Sequence, residues 1–136
     1  MLMLFNDERP DLDDFWAIAS EPVLAKAIEA TGGRYTPETV LRDIKAKRMQ
    51  LWIVCDKTGT IYASLVTSVT RWPTGMTTCS VLFMGGHDMK RWITLVGTLK
   101  DWARSLGCSR LDYSGREGLE RVLGWRRLGV MSETEL

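Results

Sequence analysis

The chain has 136 residues, 45% of them hydrophobic, and eighteen Lys and Arg against seventeen Asp and Glu leave a formal net charge of +1. That length suits one globular domain over residues 1–136 with two packed layers, and the near-neutral balance gives no global attraction to nucleic acid or an anionic membrane surface. Cys55, Cys79 and Cys108 are odd in number and form no C-x-x-C pair, so they read as reduced, buried thiols of a cytosol-like compartment.

The opening "MLMLF" is short enough for a first strand, and the acids after it lack the basic lead and cleavage site of a signal peptide. No run approaches the ~18 apolar residues of a membrane span, so a soluble, unprocessed protein is expected. From Asp11 to Ala30 the pattern is helical with a break at "SEP". There Ser20 is expected to cap a new turn, and Pro22 sits where its missing donor costs nothing. Val23, Leu24, Ala27 and Ile28 share one face, and "TGG" stops the helix. Thr36 opens another helix with Val40, Leu41 and Ile44 as its buried stripe and "KAKR" at its end.

From Leu51 the period becomes that of strands. "LWIVCD", a turn at Lys57-Thr58-Gly59, "TIYASLVTSVTRW", a second turn at "PTG" and "MTTCSVLFM" predict a three-strand meander. Asp88 is then expected to cap the longest helix. Met89, Trp92, Ile93, Val96, Leu99, Ala103 and Leu106 recur at three and four residues until Gly107, with Val96 and Leu99 facing the sheet. "SRLDYS" reads as a short strand, "GREGLERVLGWRRLG" as a shorter helix carrying Leu119, Val122 and Leu123, and "VMSETEL" as a terminal strand.

This order, together with "KDWARSLGCSRLDYSG" and the closing "RVLGWRRLGV", resembles the GNAT superfamily of acetyl-CoA-dependent N-acyltransferases. The resemblance implies an α/β fold with a mixed, twisted sheet flanked by about four helices. It is also similar to small GNAT-like proteins of tailed phages, which implies an accessory or virion-associated role in a bacterial host cytoplasm or virion. In the enzymes the long helix opens with [QR]-x-x-G-x-[GA], whose small residues let backbone N–H groups close on a pyrophosphate. Here His87, Lys90 and Trp92 occupy the three defined positions. Trp125 falls where the enzymes carry a tyrosine that protonates the leaving thiolate, and "MTTCSVLFM" has no carboxylate or histidine to act as a base.

Several residues carry a functional reading beside a plain one. Met84, Gly85, Gly86, His87, Lys90 and Arg91 would be the cofactor-binding set; alternatively the two glycines only turn the chain from strand to helix, and His87 is a solvated loop residue. Lys90, Arg91, Arg116, Arg121, Arg126 and Arg127 would form an anion site, or ordinary solvated faces with a Glu117–Arg121 pair. Trp52, Trp92 and Trp102 read as core. Trp72, Arg121, Trp125, Arg126 and Arg127 form the expected partner-binding set, although partial burial at the sheet edge explains either Trp72 or Trp125 alone.

The leading expectation is a GNAT scaffold without its chemistry. It would bind a protein partner or a copy of itself and would take no cofactor, metal, membrane or nucleic acid. The alternative is an active N-acetyltransferase using acetyl-CoA through a divergent loop. A fold does not by itself confer its family's activity.

Overall fold

The computed structural model describes residues 1–5, 9–87, 93–115 and 119–136. Its centre is a five-stranded sheet in the order β1-β2-β3-β4-β5: β1 Leu2–Phe5, β2 Gln50–Cys55, β3 Ile61–Arg71, β4 Thr77–Gly86 and β5 Arg110–Tyr113. The first four pair antiparallel and β5 lies parallel to β4, so the sheet is mixed. The helical segments are α1 Leu12–Phe15, a π-helical turn Trp16–Ser20, α2 Glu21–Glu29, α3 Pro37–Lys45, α4 Val96–Ser105 and α5 Leu119–Leu123. A parallel neighbour requires a crossover, and α4 lies in the chain between β4 and β5.

Alternation along the strands divides the core between two faces. Leu51, Ile53, Val66 and Phe83 pack with Trp16, Leu24, Ile28, Val40 and Ile44 under α1–α3. Trp52, Val54, Leu65 and Val81 pack with Leu99 under α4. The indole N–H of Trp52 donates to Thr67 Oγ1 at 3.0 Å, and the Thr67 hydroxyl donates to Gln50 Oε1 at 2.8 Å, so this polar chain, buried at Trp52 and Thr67 and half-buried at Gln50, is satisfied.

Thr36 caps α3 reciprocally with Thr39, and Gly107 leaves α4 at φ +84°. Other expectations are corrected. Ser20 does not cap α2: it lies inside the continuous helical run as part of the π-turn, and its oxygen accepts from the buried Ser64 hydroxyl at 3.2 Å. Leu106 is exposed because α4 has already ended, whereas Leu99 and Ala103 are buried and Val96 is half-buried. Residues 125–136 form no strand, so "VMSETEL" does not extend the sheet and β5 remains its edge. The expected Asp88 cap, Met89 and Trp92 in the helical stripe, and the Glu117–Arg121 pair lie outside the described residues.

Gly85 and Gly86 are also not the turn from strand to helix. They end β4, opposite Ser64 and Ala63 of β3. A Cβ on Gly85 would stand 1.8 Å from the Val23 carbonyl oxygen of α2, and one on Gly86 would stand 2.2 Å from the Tyr62 carbonyl oxygen. Gly86 also has φ +139°. The close approach that these glycines permit is therefore made by the chain's own backbone.

Candidate functional site

β4 holds the geometry that sets the site. Val66 pairs with Phe83, but Thr67 pairs with Val81, so Leu82 is an extra residue, a β-bulge. The insertion inverts the alternation: Cys79 and Val81 face the α4 side, whereas Phe83 faces α2. It also ends the pairing with β5, which covers only Thr78–Val81 against Arg110–Tyr113. Beyond the bulge, Phe83 to Gly86 of β4 pair with β3 alone among the described residues, so the two parallel neighbours separate like a fork with Val81 and Tyr113 at its crotch.

A broad open cleft of about 2170 Å³ occupies this separation. Its walls include Val23 and Ala27 of α2 on one face and Lys100 and Ala103 of α4 on the other, so it reaches both faces of the sheet. Met84, Gly85, Gly86 and His87 line it, as do Trp72, Trp125, Arg126 and Arg127. Lys90, Arg91 and Arg116 lie outside the described residues.

The remaining candidates occupy distinct settings. His87 is exposed at the mouth, where its backbone N–H donates to the Tyr62 carbonyl at 2.9 Å and its ring meets the Tyr62 ring edge-on at 5.6 Å. Trp72 is 48% exposed in the β3–β4 turn, with its indole N–H donating to Thr78 Oγ1 at 2.8 Å. Trp125 is half-buried just after α5, edge-on to Tyr113 at 6.3 Å between centroids. Arg127 is ion-paired to Glu120, and Arg121 and Arg126 are exposed. The expected partner residues thus divide between the β3–β4 turn, α5 itself, which carries Arg121, and the segment following it.

Sequence reasoning missed Tyr113. It ends β5 at the crotch and lines the cleft. Burial, followed by the negative charge of Glu120, pushes its phenol above the ordinary tyrosine range, against a smaller opposing effect of Arg127. The phenol is therefore protonated at neutral pH. Its only signal in the sequence was its place at the end of a short strand in "LDYSG".

Buried Cys79 lies within the paired part of β4, where enclosure pushes its thiol up to about 12, with smaller contributions from Cys108 and Asp112. Such a thiol stays protonated and is a poor nucleophile. Among the described residues no three His, Cys, Asp or Glu side chains gather as a metal site, and no helix is long and apolar enough to cross a membrane.

No family model matches the chain, and no curated protein matches it in sequence. Solved structures do match it along its whole length. A ribosomal-protein-alanine N-acetyltransferase from Brucella melitensis biovar Abortus 2308 superposes with a TM-score of 0.66 at 17% identity, covering 100% of this chain and 99% of that one. An aminoglycoside acetyltransferase from an uncultured soil metagenomic sample, in complex with sisomicin, gives 0.69 at 10% identity, covering 100% and 95%. The aminoglycoside antibiotic 6'-N-acetyltransferase of Acinetobacter baumannii gives 0.65 at 12% identity, covering 100% and 97%. The chain has the GNAT fold, which it shares with these three acetyltransferases.

Proposed function

We propose that the chain is an N-acyltransferase that holds an acyl-CoA thioester, acetyl-CoA in the simplest case, in the fork between β4 and β5. The observation that carries this reading is the open edge of β4 from Leu82 to Gly86, freed by the bulge and facing a cleft that reaches both sheet faces. An unpaired sheet edge leaves main-chain donors and acceptors unsatisfied, and a ligand arm carrying amides would complete it as an added strand does. The residues present fit such an arm: main chain from Leu82 to Gly86 would hold it, with half-buried Leu82 and Met84 supplying apolar contact. Bound there, acetyl-CoA supplies an activated acyl thioester.

Access from two faces lets an amine approach the carbonyl from the side opposite the thiol. Preorganised backbone N–H groups at the bulge would stabilise charge developing on the carbonyl oxygen. Tyr113, with its proton retained by burial, is the phenol at the crotch that would protonate the departing thiolate. It would thus supply the group that Trp125 cannot.

A second reading is a GNAT-fold binding protein without turnover, including the phage accessory or virion-associated role. It is favoured by Trp125 at the expected tyrosine position and by the absence of a carboxylate or histidine from β4. Calorimetric titration with acetyl-CoA, followed by thiol-release assays over a panel of amines, tests the pair. Binding with turnover, and a loss of about 10²–10⁴-fold in kcat for Tyr113→Phe with KM little changed, would support the first reading. Binding without turnover would support the second. No heat and no thermal stabilisation at millimolar acetyl-CoA would overturn the cofactor assignment, since a ligand at 100 times its Kd stabilises a fold by ~2.7 kcal/mol.

A further inference from the structure

Successive residues of β5 face opposite sides of the sheet. Leu111 and Tyr113 pack on the α4 side with Val81 and Leu99, so alternation turns Arg110 and Asp112 to the α2 side. Both line the cleft. Ser80 of β4 lies beside Asp112, and Ser68 of β3 beside Ser80; both serines are half-buried and small.

Alternate residues of a strand stand roughly 6.6 Å apart at their Cα atoms, yet these opposite charges form no ion pair with each other. Arg110 is exposed, and its guanidinium donates to the neighbouring Ser109 carbonyl at 2.8 Å. The half-buried Asp112 carboxylate has no hydrogen bond or ion pair among the described residues. Glu120 is the other carboxylate in the described cleft wall, and Arg127 already holds it. Lys26 adds a cation to the α2 wall, without an ion pair among the described residues. A partly desolvated carboxylate without a partner is costly, and such departures from a satisfied structure collect where a ligand supplies what is missing.

We propose, resting on the acyl-transfer reading above, that Asp112 and Arg110 select the acceptor, a small primary amine carrying an anionic group a few bonds away. Asp112 holds the ammonium end beside the crotch, on the face opposite Tyr113, and Arg110 holds the anionic end two residues farther from it. Adjacent residues of β5 thereby serve the two reactants: Tyr113 the thiol on the α4 side, Asp112 the amine on the α2 side. The Trp72 indole, bonded to Thr78 across from Arg110, bounds the far end and limits the acceptor's length. A diamine would set its second charge against Arg110 and Lys26. In the transfer the ammonium sheds one proton to water and its nitrogen bonds to the acyl carbon as the C–S bond breaks. The thiolate takes the phenol's proton, and the surplus proton on the amide nitrogen restores the phenol by way of water.

Calorimetry with γ-aminobutyrate, 1-aminobutane and 1,4-diaminobutane, each with and without coenzyme A, reads the acceptor site apart from turnover. The wild-type chain should bind γ-aminobutyrate at least about tenfold more tightly than either of the others, the scale of one hydrogen bond to a charged group. Asp112→Asn should weaken γ-aminobutyrate by about tenfold. Arg110→Glu should reverse the order in favour of 1,4-diaminobutane, which a loosened fold would not do; melting of each variant checks that it is folded. Equal affinities in the wild type, no binding of any of the three, or an unchanged order in Arg110→Glu overturns the proposal. A charge preference without thiol release from acetyl-CoA would sink the acyl-transfer reading and keep the charge-pair site, whereas thiol release with all three amines alike would do the reverse.

Discussion

Replacing Gly85 by alanine tests the packing that shapes the fork. The added methyl would lie 1.8 Å from the Val23 carbonyl oxygen and 2.7 Å from its carbon. Ordinary contact begins at 3.4 Å, so α2 and β4 would have to part by roughly 1.5 Å, and close-packed interiors resist such a shift. Both clashing atoms are backbone, leaving no flexible side chain to yield. Moving α2 would also loosen Leu24 and Ile28, which are 0% and 1% exposed beneath it. Overpacking costs ~1–3 kcal/mol, and backbone on both sides places this case near ~3.

An unfolding entropy of ~2.1 cal/mol/K per residue makes each kcal/mol worth ~3.5 °C for a chain of this length, so Tm should fall by ~10 °C. Gly97→Ala is the control. Gly97 lies in the first turn of α4 with nothing within 4 Å of its would-be Cβ, and helix propensity predicts a gain of up to ~1 kcal/mol. Scanning calorimetry on both variants decides the matter. Gly85→Ala melting within 1–2 °C of wild type, roughly the shift of a surface change, would mean that α2 does not cross β4 at Val23.

Leu99→Ala should cost ~2–5 kcal/mol in denaturant titrations, because its side chain is 3% exposed between α4 and the sheet; an unchanged midpoint would contradict that packing. Thr67→Val should cost ~1–3 kcal/mol by orphaning the buried indole N–H of Trp52, and a neutral effect would refute the enclosed bond. Asp56 is held at about 2 chiefly by the Thr58 hydroxyl, with the Tyr62 hydroxyl and the Thr60 and Thr58 N–H groups adding to it against desolvation. Since its folded pKa is lowered, its contribution is fully present above about pH 4 and lost as pH falls towards 2; Asp56→Asn should flatten that limb of the stability curve, and identical limbs would refute the assignment.

Much of the fold was legible because it rests on period and punctuation. The buried stripes at Leu24 and Ile28, at Val40 and Ile44, and at Leu99 and Ala103 follow helical spacing, and Gly59, Gly75 and Gly107 mark turns at positive φ. The site was less legible because its defining event is an insertion in pairing. In "CSVLFM" the residues Cys79, Val81 and Phe83 look like one alternating face, and only the register with β3 shows that Leu82 divides them. Gly85-Gly86 misled for a related reason: a glycine pair marks either a turn or a close approach, and the approaching backbone comes from distant segments, Val23 at Gly85 and Tyr62 at Gly86. "VMSETEL" stays outside the sheet although the β5 edge is open, which its composition does not reveal.

The same geometry separates what the fold provides from what this chain must supply itself. At Gly85 the Val23 carbonyl already occupies the space that a small residue might have opened to a ligand. A ligand in the fork is therefore left the β4 backbone edge, the apolar flanks of Leu82 and Met84, and the Tyr113 phenol. The first of these follows from the bulge and requires no particular side chain, so a sequence can drift far from its structural neighbours and keep it. Chemistry is less tolerant, because one hydroxyl must carry a proton at the crotch. Trp125 cannot do so, but its half-buried indole meets the Tyr113 ring edge-on. In the proposed mechanism, the residue that replaces the expected tyrosine thus helps to position the phenol that takes over its role.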